Sequence, residues 1–196
     1  DNQNAYRWPN VYGYLRNANM FFEHIDKVPF KDEEWRNRLK GEVHFLIAFY
    51  YHNLVRTHGG VPIITKTYGL NDDFNVPRNS LKDCIDYIVK NCDEAAALLP
   101  VIQEGANLGR ANKAGALAIK SRILLWAASD LAHVAWYTGY SNPDLVTIGG
   151  DRTAAWTAAR DAAKAIIDMD AFSLENETGD PFTDYTALFI KTILLA

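Results

Sequence analysis

The chain has 196 residues, 48% of them hydrophobic and 22% charged, with a formal net charge of −4 and a pI near 5.7. This is an ordinary globular composition, long enough for one or two cored domains, and its acidic balance argues against a nucleic-acid surface, which needs a clustered excess of Lys and Arg. No run reaches the ~18 to 20 consecutive apolar residues of a membrane-spanning helix. The chain opens without Met or a charged-then-apolar leader, and it closes on Thr192-Ile193-Leu194-Leu195-Ala196 without a polar tail. It therefore reads as a piece of a longer protein. Ten Tyr and five Trp are many for a helical chain, and they need a home in a core or on a binding surface.

In chain order, Tyr6-Arg7-Trp8-Pro9-Asn10 leads into a first helix whose stripe is Val11, Leu15, Ala18, Phe22 and Ile25, bounded by Pro29. Asp32 is a natural N-cap for a second helix, with Glu33 and Glu34 where the dipole favours negative charge. That helix runs to about His58. Leu39, Val43, Leu46, Tyr50 and Leu54 form one apolar face, while Phe45, Ala48, Phe49 and His52 fill much of the other. A helix apolar on both sides must be covered on both sides, by the first helix and by the third and fourth. Gly59-Gly60 ends it, Pro62 prevents its resumption, and Arg56 is placed to favour its last carbonyls or to pair with a carboxylate.

Val61 to Thr65 is apolar and β-branched, but one short extended segment makes no sheet. Lys66 to Arg78 reads as a loop. Ser80 caps a third helix, with Asp83 at the capping-box position, and its stripe is Leu81, Ile85, Ile88, Cys92, Ala95 and Leu99 up to Pro100. A fourth helix, roughly Asn112 to Ala132, interleaves Ala111, Ala114, Gly115, Ala118 and Ser121 with larger apolar residues, which lets another helix approach closely. Ala135 to Gly150 is a loop of turn formers and aromatics. Asp151 or Thr153 caps a fifth helix with a packed face of Trp156, Ala159, Ala163 and Ile166, and Phe172, Pro181, Tyr185, Leu188 and Phe189 suggest a short connector. Cys84 and Cys92 sit eight residues apart on one helix, roughly 12 Å along its axis, too far to bridge each other.

The first, third and fifth helices start about 70 residues apart, each opening a hairpin, so the expected class is all-α: helical hairpins in a tetratricopeptide-like array with long connecting loops. The order of motifs resembles a known family. GEVHFLIAFYYHNLVRTHGGVPIIT, VPRNSLKDCIDYIVKNCDEAAALLP and GRANKAGALAIKSRILLWAAS resemble successive signature blocks of the SusD/RagB family, and WPNVYGYLRNANMFFEHID and WTAARDAAKAIIDMDAFSL fit its pattern. Val43-His44 follows Glu42 where Ala-Arg is usual, and Ile47 stands where Arg is common.

The resemblance implies a single SusD-like helical-repeat domain over 1–196, incomplete at both ends. It implies a surface-exposed lipoprotein on the extracellular face of the outer membrane, held by an N-terminal lipid anchor outside this sequence. The implied partners are a SusC-like TonB-dependent β-barrel transporter and an oligosaccharide or polysaccharide, or a peptide in some members. Such proteins are binding machinery with no catalytic step and no cofactor. Helical hairpins alone fit equally a peptide-binding or protein-binding interaction scaffold.

Sugar binding needs flat aromatic faces for a pyranose ring and polar groups for its hydroxyls. Two stretches combine them: Trp136, Tyr137, Tyr140, Asn142 and Asp144 in the aromatic loop, and Tyr6, Arg7 and Trp8 before the first helix. The alternatives are packing of the loop against the scaffold or a partner, and a hydrophobic staple onto the helix. The five His lack the i, i+4 pairing of a helical zinc site, and Asn71-Asp72-Asp73-Phe74-Asn75 lacks a full calcium loop, so no metal is expected. Loop carboxylates that a glycoside hydrolase could use are Glu175, Glu177, Asp180 and the Asp72-Asp73 turn. No catalytic residue is assigned.

Overall fold

The computed structural model describes residues 8–133, 139–173 and 176–194, the last six of these by their backbone only. They form two compact units, 1–166 and 167–196. The described elements are helical, with no strand among the described residues: α1 (Trp8–His24), α2 (Glu33–His58), α3 (Leu81–Leu98), α4 (Lys113–Ala128), the single turn α5 (Asp130–His133), α6 (Arg152–Ile167) and α7 (Pro181–Leu194).

Within the first unit, α2 packs against α1, α3 and α4, as its all-round apolar sequence requires. Its start follows the expected chemistry, since the Asp32 carboxylate accepts the amides of Glu34 and Trp35 at 2.9 and 3.2 Å. α3 begins the same way, with Ser80 Oγ accepting from Asp83 N at 3.0 Å. All six residues of the α3 stripe are buried. The α1 stripe is buried too, apart from Phe22, which lies half-covered with its ring 4.6 Å from that of His44.

The buried face of α2 is not the one that its greasiest spacing suggests. Gly41, Ile47, Ala48, Tyr51, Leu54 and Val55 are buried, whereas Leu46 is 41% exposed and Tyr50 stacks on Tyr14 at 5.1 Å. A helix apolar all round offers no unique face, so close approach decides. At Gly41 a Cβ would stand 2.9 Å from Leu99 Cγ, which seats α2 tightly against the end of α3. On the other arm, a Cβ on Gly115 of α4 would stand 3.3 Å from the Phe45 ring, the close approach that the small residues imply.

The expected fourth helix divides. Ser129 is extended, with φ −67° and ψ 158°, and its carbonyl accepts from Ala132 and His133 to start α5. Asp151, not Thr153, caps α6, its carboxylate accepting from Thr153 N at 2.8 Å and Ala154 N at 3.2 Å. Trp156 lies 42% exposed instead of packed, and Ala159 and Ala162 form the buried part of α6. In the second unit the stretch expected to be a connector contains α7. Asp180 precedes Pro181 and accepts from Thr183 N at 3.1 Å, a capped start with Pro at the first position. Asp184, one turn in, accepts the Thr178 amide and hydroxyl at 2.9 and 2.8 Å.

Candidate functional site

The end of α2 is built differently from its middle. Gly59, with φ +74°, stops the helix, and the chain leaves through residues 61–67 outside any helix or strand, with a bend at Lys66. Its backbone groups still need partners, and side chains supply them. Tyr12 Oη donates to Pro62 O at 2.6 Å, Tyr51 Oη accepts from Ile64 N at 2.8 Å, and Asn79 Oδ1 accepts from Ile63 N at 2.9 Å. Asn19 Nδ2 donates to Ile64 O and Lys66 O at 3.0 and 3.3 Å. The Glu23 carboxylate takes both the amide and the hydroxyl of Thr67, at 2.8 and 2.7 Å, which holds it below the usual carboxylate range.

Burial pushes the Tyr12 and Tyr51 hydroxyls far up, so both stay protonated. Arg78, not Arg56, serves the last carbonyls of the helix end: its Nε donates to Gly60 O and its Nη2 to His58 O, each at 2.6 Å. Gly60 is required by the same closeness, because a Cβ there would stand 2.2 Å from Asn79 O.

This clamped segment forms the floor of a cavity of about 400 Å³. Trp8, Tyr12 and Arg16 of α1 line one side, Pro62, Ile64 and Lys66 the floor, and Tyr68, Phe74 and Val76 of the following loop the other side. Trp8 is the first residue of α1, not a lead-in to it, and its ring packs 5.2 Å from Tyr12 and edge-on 5.3 Å from His58. Tyr68 and Phe74 lie 5.6 Å apart and tilted 33°, with Lys66 Nζ 4.8 Å from the Tyr68 ring centre. Aromatic faces beside basic groups and carbonyls in a concave, largely apolar site suit a molecule with one apolar face and a polar rim.

The aromatic loop reaches the same helix end. Gly60 N donates to Leu145 O at 2.7 Å, Ile148 N to Ala132 O at 2.9 Å, and His133 Nε2 lies 3.1 Å from Gly150 O. A Cβ on Gly59 would stand 2.2 Å from Leu145 O, so the loop can seat only on glycine. Tyr140 and Asn142 are exposed, and Asn142 leads a single 3₁₀ turn, Pro143–Leu145, through its backbone. Trp136, Tyr137, Tyr6 and Arg7 lie outside the described residues. Of the residues expected at a site, Trp8 therefore lines the cavity, and Tyr140 and Asn142 belong to a loop that bonds Gly60 at the helix end and is not among the residues lining the cavity.

Tyr12, Arg16, Lys66, Tyr68 and Phe74 were not expected in the site. The one signal for them is two aromatic residues, Tyr68 and Phe74, in a loop rich in turn formers. The acidic turn beside them is self-satisfied, with Asp72 Oδ2 accepting from Gly69 N at 3.0 Å and Asp73 Oδ1 from Asn75 N at 2.8 Å. Among the described residues no group of three or more His, Cys, Asp or Glu could hold a metal ion. His44 bonds Asn91 at 2.9 Å, and His52 is buried, which with Arg56 and Arg122 nearby lowers its pKa to about 4. Cys84 and Cys92 are free and buried, and Cys84 Sγ lies 3.3 Å from both the amide and the carbonyl of Val61. No described helix is long and apolar enough to cross a membrane.

Residues 1–125 match the SusD-like family model described as starch-binding and associating with the outer membrane. A SusD-like protein of Formosa agariphila is 29% identical over 121 residues, 61% of this chain and 23% of that protein. The crystal structure of a SusD-like protein from Bacteroides fragilis superposes with a TM-score of 0.69 at 27% identity, covering 87% of this chain and 28% of the other. A laminarin-binding SusD-like protein superposes with a TM-score of 0.58 at 28% identity, over 63% of this chain and 26% of the other. The chain thus spans about a quarter of the length of these relatives. With five ordered motif blocks, the capped helical hairpins and these matches in agreement, the chain belongs to the SusD-like family.

Proposed function

We propose that this chain is the helical scaffold and part of the binding surface of a glycan-capturing subunit at the outer face of the outer membrane. The subunit takes up oligosaccharide and delivers it to a SusC-like TonB-dependent barrel, and a lipid anchor holds it at the surface. The observation that carries this reading is the aromatic cavity at the end of α2, where Trp8, Tyr12, Tyr68 and Phe74 gather around a floor clamped by hydrogen bonds. A preformed floor supports binding because little ordering entropy remains to be lost when a ligand arrives. Family membership and the laminarin-binding neighbour support a saccharide as the ligand.

The subunit binds and performs no bond-breaking step. Of the loop carboxylates a hydrolase could use, Asp72 and Asp73 bond their own turn and Asp180 caps α7, while Glu175 lies outside the described residues. The test is a panel of polysaccharides offered to the intact protein, with recovery of a barrel partner from solubilised outer membranes. Saturable saccharide binding and a co-purifying barrel are expected; the absence of both would overturn the reading, and release of reducing ends would favour a hydrolase.

A further inference from the structure

The cavity at the end of α2 carries an unbalanced charge. Among the described residues, two cationic side chains, Arg16 and Lys66, line it and no carboxylate does. Neither forms an ion pair among the described residues. The nearby acids in sequence are committed elsewhere, Glu23 to both polar groups of Thr67, Asp72 to Gly69 N and Asp73 to Asn75 N. Among the described residues, the contact made by the Lys66 ammonium is with the Tyr68 ring, 4.8 Å from its centre. This happens in a chain whose net charge is −4, so the local excess of positive charge runs against the whole.

From this arrangement we infer that the cavity selects an anionic saccharide, one bearing carboxylate or sulfate groups, over a neutral glucan. An aromatic wall holds the ring face, while the Arg16 and Lys66 side chains meet the anionic substituent, a guanidinium offering paired donors and an ammonium a point charge. The inference rests on the saccharide-binding reading and narrows it to a substrate class.

The experiment is calorimetric titration of the full chain with three oligosaccharides of equal length: an oligogalacturonate, a sulfated carrageenan oligosaccharide and a neutral laminarin oligosaccharide. At low salt one or both anionic ligands should bind at least about tenfold more tightly than the neutral one, with the advantage shrinking as salt rises. The two anionic arms tell carboxylate from sulfate recognition. A double variant, Arg16→Gln with Lys66→Gln, should erase the advantage, and Arg16→Lys with Lys66→Arg should retain part of it. Both positions are exposed, so circular dichroism should show unchanged helix content.

Equal or tighter binding of the laminarin oligosaccharide would overturn the anionic preference and leave saccharide binding standing. An anionic preference that survives the double variant would overturn its assignment to this cavity. Binding of none of the three would overturn both readings.

Discussion

The middle of α2 and its C-terminal end use opposite means of holding a chain. In the middle, Ile47, Ala48, Tyr51, Leu54 and Val55 are held against Ile85, Ile88, Cys92 and Ile123 in one buried cluster, by packing with no preferred direction. At the end, residues 61–67 are held by directional bonds from Tyr12, Asn19, Glu23, Tyr51 and Asn79 to their backbone groups. Packing tolerates variation of side chains at similar volume. A single-residue clamp does not, and it presents a fixed concave surface. The scaffold belongs to the first kind of construction and the candidate site to the second.

Several substitutions can break or sharpen that contrast. The largest effect is expected at the junction of the two regions: Gly60→Val puts a side chain where Asn79 O would lie 2.2 Å from its Cβ. It should destabilise the fold by more than about 4 kcal/mol or prevent folding, as measured by urea denaturation of whatever soluble protein is obtained. Next, Ile88→Ala removes a fully buried side chain from the packed middle. A loss of roughly 2 to 5 kcal/mol in global stability is expected, lowering the protection of the slowest-exchanging amides in α2 and α3 together.

Tyr51→Phe probes the clamp. Loss of the hydroxyl leaves Ile64 N without its 2.8 Å acceptor and should cost about 1 to 3 kcal/mol. Hydrogen exchange should accelerate most at Ile64, with the middle of α3 affected less; uniform acceleration would show that the clamp and the core are one unit. His52 gives the smallest effect. Its folded pKa, about 4, lies below the ordinary value of 6.5, so the unfolded state takes the proton first. Its contribution is complete above about pH 6.5 and is lost as pH falls towards 4. Between pH 7 and pH 5 this should amount to about 1 to 2 kcal/mol, and the His52→Leu variant should show a shallower slope in the same window.

The contrast also explains what could be read from the sequence. Caps at Asp32, Ser80 and Asp151 and the stripe of α3 depend on residues within one turn or one helix, where spacing carries the information. The α2 face was legible only in part, because its rotation is set by Gly41 against Leu99 and by neighbours that are far away in sequence. α7 was missed although Asp180-Pro181 announces a helix start, because the aromatic and β-branched residues after it weaken the helical signal.

The cavity was least legible. Trp8 could be picked out as an aromatic beside polar residues, but Tyr12, Arg16, Lys66, Tyr68 and Phe74 come together only once Val61–Thr67 crosses α1. Nothing in the local pattern of that segment distinguishes a strand from an extended chain pinned by side chains. Its apolar, β-branched residues reflect burial of Val61 and the cavity floor, not a ladder of strands.

If the cavity at the end of α2 holds a saccharide, Phe74 is its most accessible aromatic wall, being 65% exposed, and its removal should cost the fold little. Calorimetric titration of the full chain and its Phe74→Ala variant, with the tightest-binding glycan from the polysaccharide panel, tests this occupancy directly. Loss of one stacking ring should weaken binding by about 5- to 30-fold, with the unfolding midpoint unchanged. Equal affinity in the two proteins would place the ligand outside this cavity.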